Sequence, residues 1–175
     1  MWRDSSWCRW GLSEILAWFN DLPRDEAEAL LHACCGSRQW VAGVAARRPY
    51  ADIPALMKAA DGVWSQLAPS DWLEAFAAHP RIGESGGHSP DSSLQEQSRI
   101  MRGGDETVAV LADENRRYEA RFGHVFLISA SGRTAADVLD ALRQRMLNDP
   151  VTEVRVAAEE QRKITRLRLE RMLHA

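Results

Sequence analysis

The chain has 175 residues, with 22 Lys and Arg against 25 Asp and Glu and a formal net charge of −3. Its length suits one ordinary domain, and with 45% apolar and 27% charged residues it can bury a core without a metal or a disulfide. Near-balanced charge and the lack of a long Lys/Arg cluster exclude a broad positive field for a phosphate backbone, so nucleic acid is not an expected partner.

Residues 1–11 read as an N-terminal extension, followed by a helical domain over residues 12–175. Helix punctuation recurs along the chain and strand-like alternation is almost absent, which predicts an all-α, single-domain bundle of about eight to nine helices. The first is short, at about residues 13–20, and precedes Leu22-Pro23, where proline suits a first helical turn. The second runs to Gly36. Ser37 is placed to cap a third, to about Arg47, and Asp52 with Pro54 to open a fourth over about residues 53–67. A fifth follows over about residues 70–79. Residues 80–90, rich in Gly and Pro, form the longest irregular connection. A short helix at about residues 93–102 is broken by Gly103-Gly104, and a long one from Asp105 ends before Gly123 in the C′ role. The apolar stripe of that helix, Val108, Leu111, Tyr118 and Phe122, contains Asn115, an amide where a core would prefer a hydrocarbon. Residues 126–130 read as a brief extended or irregular apolar segment, Ser131-Gly132 as a turn, and Thr134 with Asp137 as a capping box. Helices at about residues 134–147 and 150–173 complete the chain.

Three places carry side chains suited to chemistry. At 100° per residue, Trp72, Phe76 and His79 fall within about 60° of one another, which puts His79 on the buried face of the fifth helix. Pro80 holds that imidazole at the helix C-terminus, where the dipole favours imidazolium and burial favours the neutral ring. Opposed effects of this kind suit proton exchange near neutral pH; a core histidine bonded to a backbone carbonyl is the alternative. Ser93-x-x-Glu96 has capping-box spacing, and the same helix start is a prepared anion site at which Glu96 and Gln97 can hydrogen-bond a polar ring. On the last helix, Arg168 falls about 40° from Ile164 and about 40° from Met172, while Arg166 points about 160° away from it. An arginine on an apolar stripe needs a carboxylate, supplied by the protein or by an anionic ligand. Arg133, at a helix start, is a second candidate.

Three cysteines, two of them the adjacent Cys34 and Cys35, make no disulfide framework; these two read as filling space in a reducing compartment. Trp40, Trp64 and Trp72 read as core. Zinc-ligand spacing, a phosphate loop and a nucleophile elbow are all lacking, so an enzyme on this chain is expected to use no cofactor and no metal. No run approaches the ~20 apolar residues of a membrane span and no signal segment opens the chain, so no membrane partner and a cytoplasmic setting are expected.

Taken in order, His79-Pro80-Arg81-Ile82-Gly83, Ser93-x-x-Glu96-Gln97, Asn115-x-x-Tyr118-x-x-x-Phe122-Gly123-x-x-Phe126 and Lys163-Ile164-x-Arg166-Leu167-Arg168-Leu169 resemble the 2-oxo-4-hydroxy-4-carboxy-5-ureidoimidazoline (OHCU) decarboxylase family of urate breakdown. Phe19-Asn20 and Cys35-Gly36-Ser37-x-x-Trp40 also fit, so the resemblance extends from about residue 13 to the end. It implies an all-helical, usually dimeric enzyme that converts OHCU to (S)-allantoin and CO2. It implies His79 as the catalytic acid, and contacts to substrate from Pro80, Ser93, Glu96, Gln97 and the segment Phe126, Leu127, Ile128, Ser129, Ala130. The family's buried arginine matches Arg168, or Arg166 if the alignment slips. The match departs at His124-Val125 and Ser129, where the family more often carries an aromatic or proline and a cysteine. The C-terminus is not a peroxisomal tripeptide, which again suits the cytoplasm.

Loss of CO2 leaves an electron pair that the adjacent ring C=N of OHCU can accept, which explains a site without a cofactor sink. In this reading Glu96, alone or with His79, polarises the substrate hydroxyl, an arginine anchors the anion, and His79 protonates one face of the intermediate. The rival is a non-catalytic helical interaction module in which His79, Glu96 and Arg168 form a buried polar network; a metal hydrolase using His79, His88 and a carboxylate ranks last.

Overall fold

A computed structural model of the chain describes residues 12–81, 105–129 and 132–174. Among the described residues there are eight α-helices and no strand: α1 (Leu12–Asp21), α2 (Arg24–Cys34), α3 (Arg38–Ala45), α4 (Ile53–Ser65), α5 (Pro69–Ala77), α6 (Asp105–Phe122), α7 (Ala135–Arg145) and α8 (Pro150–His174). The all-α class is as expected. The helix expected at about residues 93–102 lies outside the described residues.

Local chemistry explains where the helices start and stop. Ser37 Oγ accepts from the Trp40 N–H at 3.3 Å, and Asp52 Oδ1 from the Ala55 N–H at 2.7 Å, each satisfying a donor that the first turn leaves unpaired. The Thr134 capping box closes in both directions: Thr134 Oγ1 accepts from the Asp137 N–H at 3.2 Å, and Asp137 Oδ2 from the Thr134 N–H at 2.8 Å. Gly123 ends α6 at φ +76°, a left-handed geometry that favours glycine, with its N–H on the Glu119 C=O at 2.8 Å. Helix α2 stops before Gly36, because Cys35 is already extended (φ −149°, ψ 126°) while its N–H bonds the Leu31 C=O at 3.0 Å.

Contacts gather the described residues into two compact units, one of residues 12–67 with 165–174 and one of residues 68–81, 105–129 and 132–164. In the first, Trp40 is fully buried with its indole N–H on the Ala60 C=O at 3.1 Å, and Trp64 is buried as well. A Cβ on Gly43 would meet Val63 Cγ1 at 2.9 Å, so glycine lets α3 and α4 pack closely. Asn20 pairs with both backbone groups of Tyr50, at 2.8 and 2.9 Å, and Arg48 donates to the Phe19 and Leu22 carbonyls at 2.8 and 2.9 Å, closing the end of α1.

The second unit holds α5, α6, α7 and the start of α8. Its core joins Leu111 and Tyr118 of α6 to Phe126 and Ile128 of the following irregular segment and to Val138, Leu139 and Leu142 of α7. Trp72 is only half-buried. It was expected in the core; Phe76, one turn later, is the aromatic of α5 that is fully buried.

Candidate active site

His79 stands just past α5. Pro69 opens that helix and Asp71 Oδ2 accepts the Ala68 N–H at 3.1 Å, while at the other end the Ala78 and His79 N–H groups bond Ala75 and Phe76 carbonyls at 3.3 and 3.1 Å. Those i→i−3 bonds tighten the last turn and rotate His79 off the straight-helix position. The ring is therefore half-buried beside Pro80, not inside the core as the wheel had placed it. Arg81 follows and forms a paired contact with Glu119 of α6, at 2.7 and 3.1 Å, tying this stretch to α6.

Residues 126–129 are the second feature. Phe126, Leu127 and Ile128 are buried, in no regular element. Three of the backbone polar groups here are held by side chains: Arg145 Nη1 donates to the Leu127 C=O at 2.6 Å, Glu160 Oε2 accepts the Ser129 N–H at 2.7 Å, and Arg133 Nε donates to the Ser129 C=O at 3.2 Å. The N–H and C=O of Ile128, by contrast, have no hydrogen-bond partner among the described residues. Arg133, a candidate anion ligand from sequence, is thus engaged with the backbone of this segment.

The grip on residue 127 is itself braced. Glu153, fully buried, accepts from Arg145 Nε at 2.8 Å and Nη2 at 2.5 Å, from Asn148 Nδ2 at 2.7 Å, and from the Tyr118 hydroxyl. The guanidinium also lies over the Phe126 ring, 4.6 Å from its centroid. Burial pushes the Tyr118 hydroxyl well above its usual range; Arg145 pulls it down in part, and Glu153 raises it again. Sequence reading missed Arg145, Glu153 and Glu160. The available signal was that Glu153 and Glu160 stand seven apart on one helix face, a spacing too common on solvated helices to decide anything.

The two arginines of the last helix separate as the wheel predicts. Arg168 is buried at 7% exposure, and Arg166 is exposed, with Nη1 on Asp61 at 2.9 Å and Nε 3.7 Å from Glu170. Arg166 lines an open hollow of about 510 Å³ that also presents Asp61 and Glu170, so its charge is already matched there. Arg168 belongs to the first unit, near Cys34; His79, Pro80 and residues 126–129 belong to the second. Ser93, Glu96, Gln97 and Ala130 lie outside the described residues.

A family model, OHCU decarboxylase, matches residues 20–170 of the chain. The chain belongs to the OHCU decarboxylase family. It is 39% identical over 145 residues to a uric acid degradation bifunctional protein of Arabidopsis thaliana, across 79% of this chain and 45% of that protein. A protein of the same description from Bacillus subtilis (strain 168) is 29% identical over 135 residues, across 74% of this chain and 27% of its own length. The chain thus spans less than half the length of these bifunctional relatives. A crystal structure of OHCU decarboxylase in the presence of (S)-allantoin superposes with a TM-score of 0.75 at 34% identity, covering 84% of this chain and 99% of that one. Among the described residues, no helix of this family member is long and apolar enough to cross a membrane.

Proposed function

We propose that this chain carries out the family's reaction, the cofactor-independent decarboxylation of OHCU to (S)-allantoin in urate breakdown, as a cytoplasmic homodimer. His79 and Glu96 are the catalytic pair. Pro80, Ser93, Gln97 and the backbone of Phe126, Leu127, Ile128, Ser129 and Ala130 bind the substrate, and Arg168 anchors its carboxylate.

The observation that carries this reading is the pinned segment. A buried peptide whose N–H and C=O are both unpaired is costly, and the neighbouring groups of residues 127 and 129 are held by ion-paired side chains. An edge with one donor and one acceptor, rigidly presented, complements the N–H and C=O of a ureide. Binding then repays what the free segment leaves unsatisfied, the usual logic of a preorganised site.

The chemistry requires little more. When CO2 leaves, the ring C=N takes up the electron pair, so the protein needs only to hold the anion, draw a proton from the hydroxyl and deliver one to carbon. A half-buried imidazole at a helix end suits proton delivery from one side, and delivery to one face yields one enantiomer. Positioned acid-base catalysis is worth about 10² to 10⁴ in rate. His79→Ala should lose turnover on that scale in a circular-dichroism assay of freshly generated OHCU, with the far-ultraviolet spectrum of the fold unchanged. Full activity in the variant, or wild-type protein that does not hasten the appearance of optically active allantoin, overturns the assignment.

A further inference from the structure

Asn115 is buried at 3% exposure, and neither its Oδ1 nor its Nδ2 has a hydrogen-bond partner among the described residues. A primary amide in that state forfeits its hydration without compensation, and native interiors rarely tolerate it unless the group has a task. Its place in the fold says what the task is. Leu111, four residues before it, and Tyr118, three after, lie on the same face of α6, and both pack in the cluster that contains Phe126 and Ile128. By spacing, Asn115 shares the face of α6 whose Leu111 and Tyr118 pack in one cluster with Ile128, the residue that carries the unpaired peptide groups.

Two unsatisfied groups of the same kind, a side-chain amide and a main-chain peptide, flank one apolar cluster. Each has one carbonyl acceptor and at least one N–H donor. A carboxylate ligand could use only the donors and would leave Asn115 Oδ1 unpaired. The matching ligand is one with an amide-type edge, N–H beside C=O. Resting on the ureide reading given above, we propose that Asn115 is a substrate-binding residue that pairs, through Oδ1 and Nδ2 together, with an N–H/C=O edge of the ureide, on its ring or its carbamoyl arm.

The proposal makes an unusual demand on one substitution. Asn115→Leu replaces the amide with a hydrocarbon of the same branching, so it should raise the midpoint of thermal unfolding by a few degrees while weakening (S)-allantoin binding about tenfold or more and raising KM in step. An Asn115 that served only the fold would do the opposite, lowering the midpoint and leaving the ligand affinity of the folded fraction unchanged. Wild-type protein supplies a readout that does not depend on the variant folding: in ¹H–¹⁵N spectra, the side-chain NH2 resonances of Asn115 should shift on addition of (S)-allantoin. Hydantoin as a probe isolates the ring edge and methylurea the open arm; a shift of those resonances with either one supports the pairing and says which edge is held. If (S)-allantoin moves the Ile128 amide but not the Asn115 side chain, the pairing is wrong and the ureide reading stands. If (S)-allantoin moves neither, both fail.

Discussion

Cys34 lies buried at 3% exposure, and burial pushes its thiol up from 9.0 to about 12, with Arg168 opposing the rise and Cys35 adding to it. A buried thiol held protonated in this way fits its reading as filler. Its protonation has a consequence for stability. The folded protein holds this proton more tightly than the unfolded chain, so the contribution is in place below about pH 9 and is lost as pH rises toward about 12. Tyr50, also pushed up to about 12 by burial, acts in the same direction over the upper part of that window. Urea midpoints measured from pH 8 upward should therefore fall, and Cys34→Ala should flatten the early part of the decline. A wild-type profile that is level through this range would mean that the thiol ionises as freely in the folded protein as in the unfolded chain.

The connection from α6 to α7 is an element whose shape depends on distant charges. Gly123 ends one helix, the Thr134 box starts the next, and between them Arg145 and Glu160 reach in from later in the chain to hold residues 127 and 129. Arg145 itself is held by Glu153, at 11% and 0% side-chain exposure. Removing one member of such a pair strands a buried charge and costs roughly 3–5 kcal/mol, whereas replacing both with hydrocarbons is often far milder. Glu153→Leu and Arg145→Leu should each reduce unfolding free energy on that scale in chemical denaturation, and the double variant should be more stable than their sum predicts. Strict additivity would show that the two side chains do not act as a unit. The Arg81–Glu119 pair has the same formal chemistry but is exposed at 45% and 33%, where ion pairs contribute ~1 kcal/mol or less.

At the scale of the whole molecule, the chain corresponds to less than half of its bifunctional relatives and nearly all of a solved OHCU decarboxylase. If the ring C=N of the substrate is the electron sink, the purified chain should need neither a second catalytic domain nor a metal. Activity should survive exhaustive chelation unchanged, with sedimentation giving twice the chain mass; loss of turnover restored by a divalent cation would raise the metal-dependent reading, ranked last above, over the cofactor-free one.

The all-α type and, among the described residues, most helix ends were legible in the sequence, because caps such as Ser37, Asp52 and Thr134 and terminators such as Gly123 act within a few residues of themselves. The burial of Arg168 and the exposure of Arg166 were legible for a related reason: periodicity on one helix needs no knowledge of the partner. The ordered motifs identified the family in the same local way. Tertiary structure alone decided what residues 126–129 do with their peptide groups, since Arg145 and Glu160 act across 18 and 31 positions of chain. It also decided that His79 leaves the helix and is half-buried, because the last turn closes with i→i−3 bonds from the Ala78 and His79 N–H groups that helical periodicity does not foresee. Asn115 was visible from the start as an amide on an apolar stripe, but hydrogen bonding is a property of surroundings, and only the folded neighbourhood shows the amide unpaired.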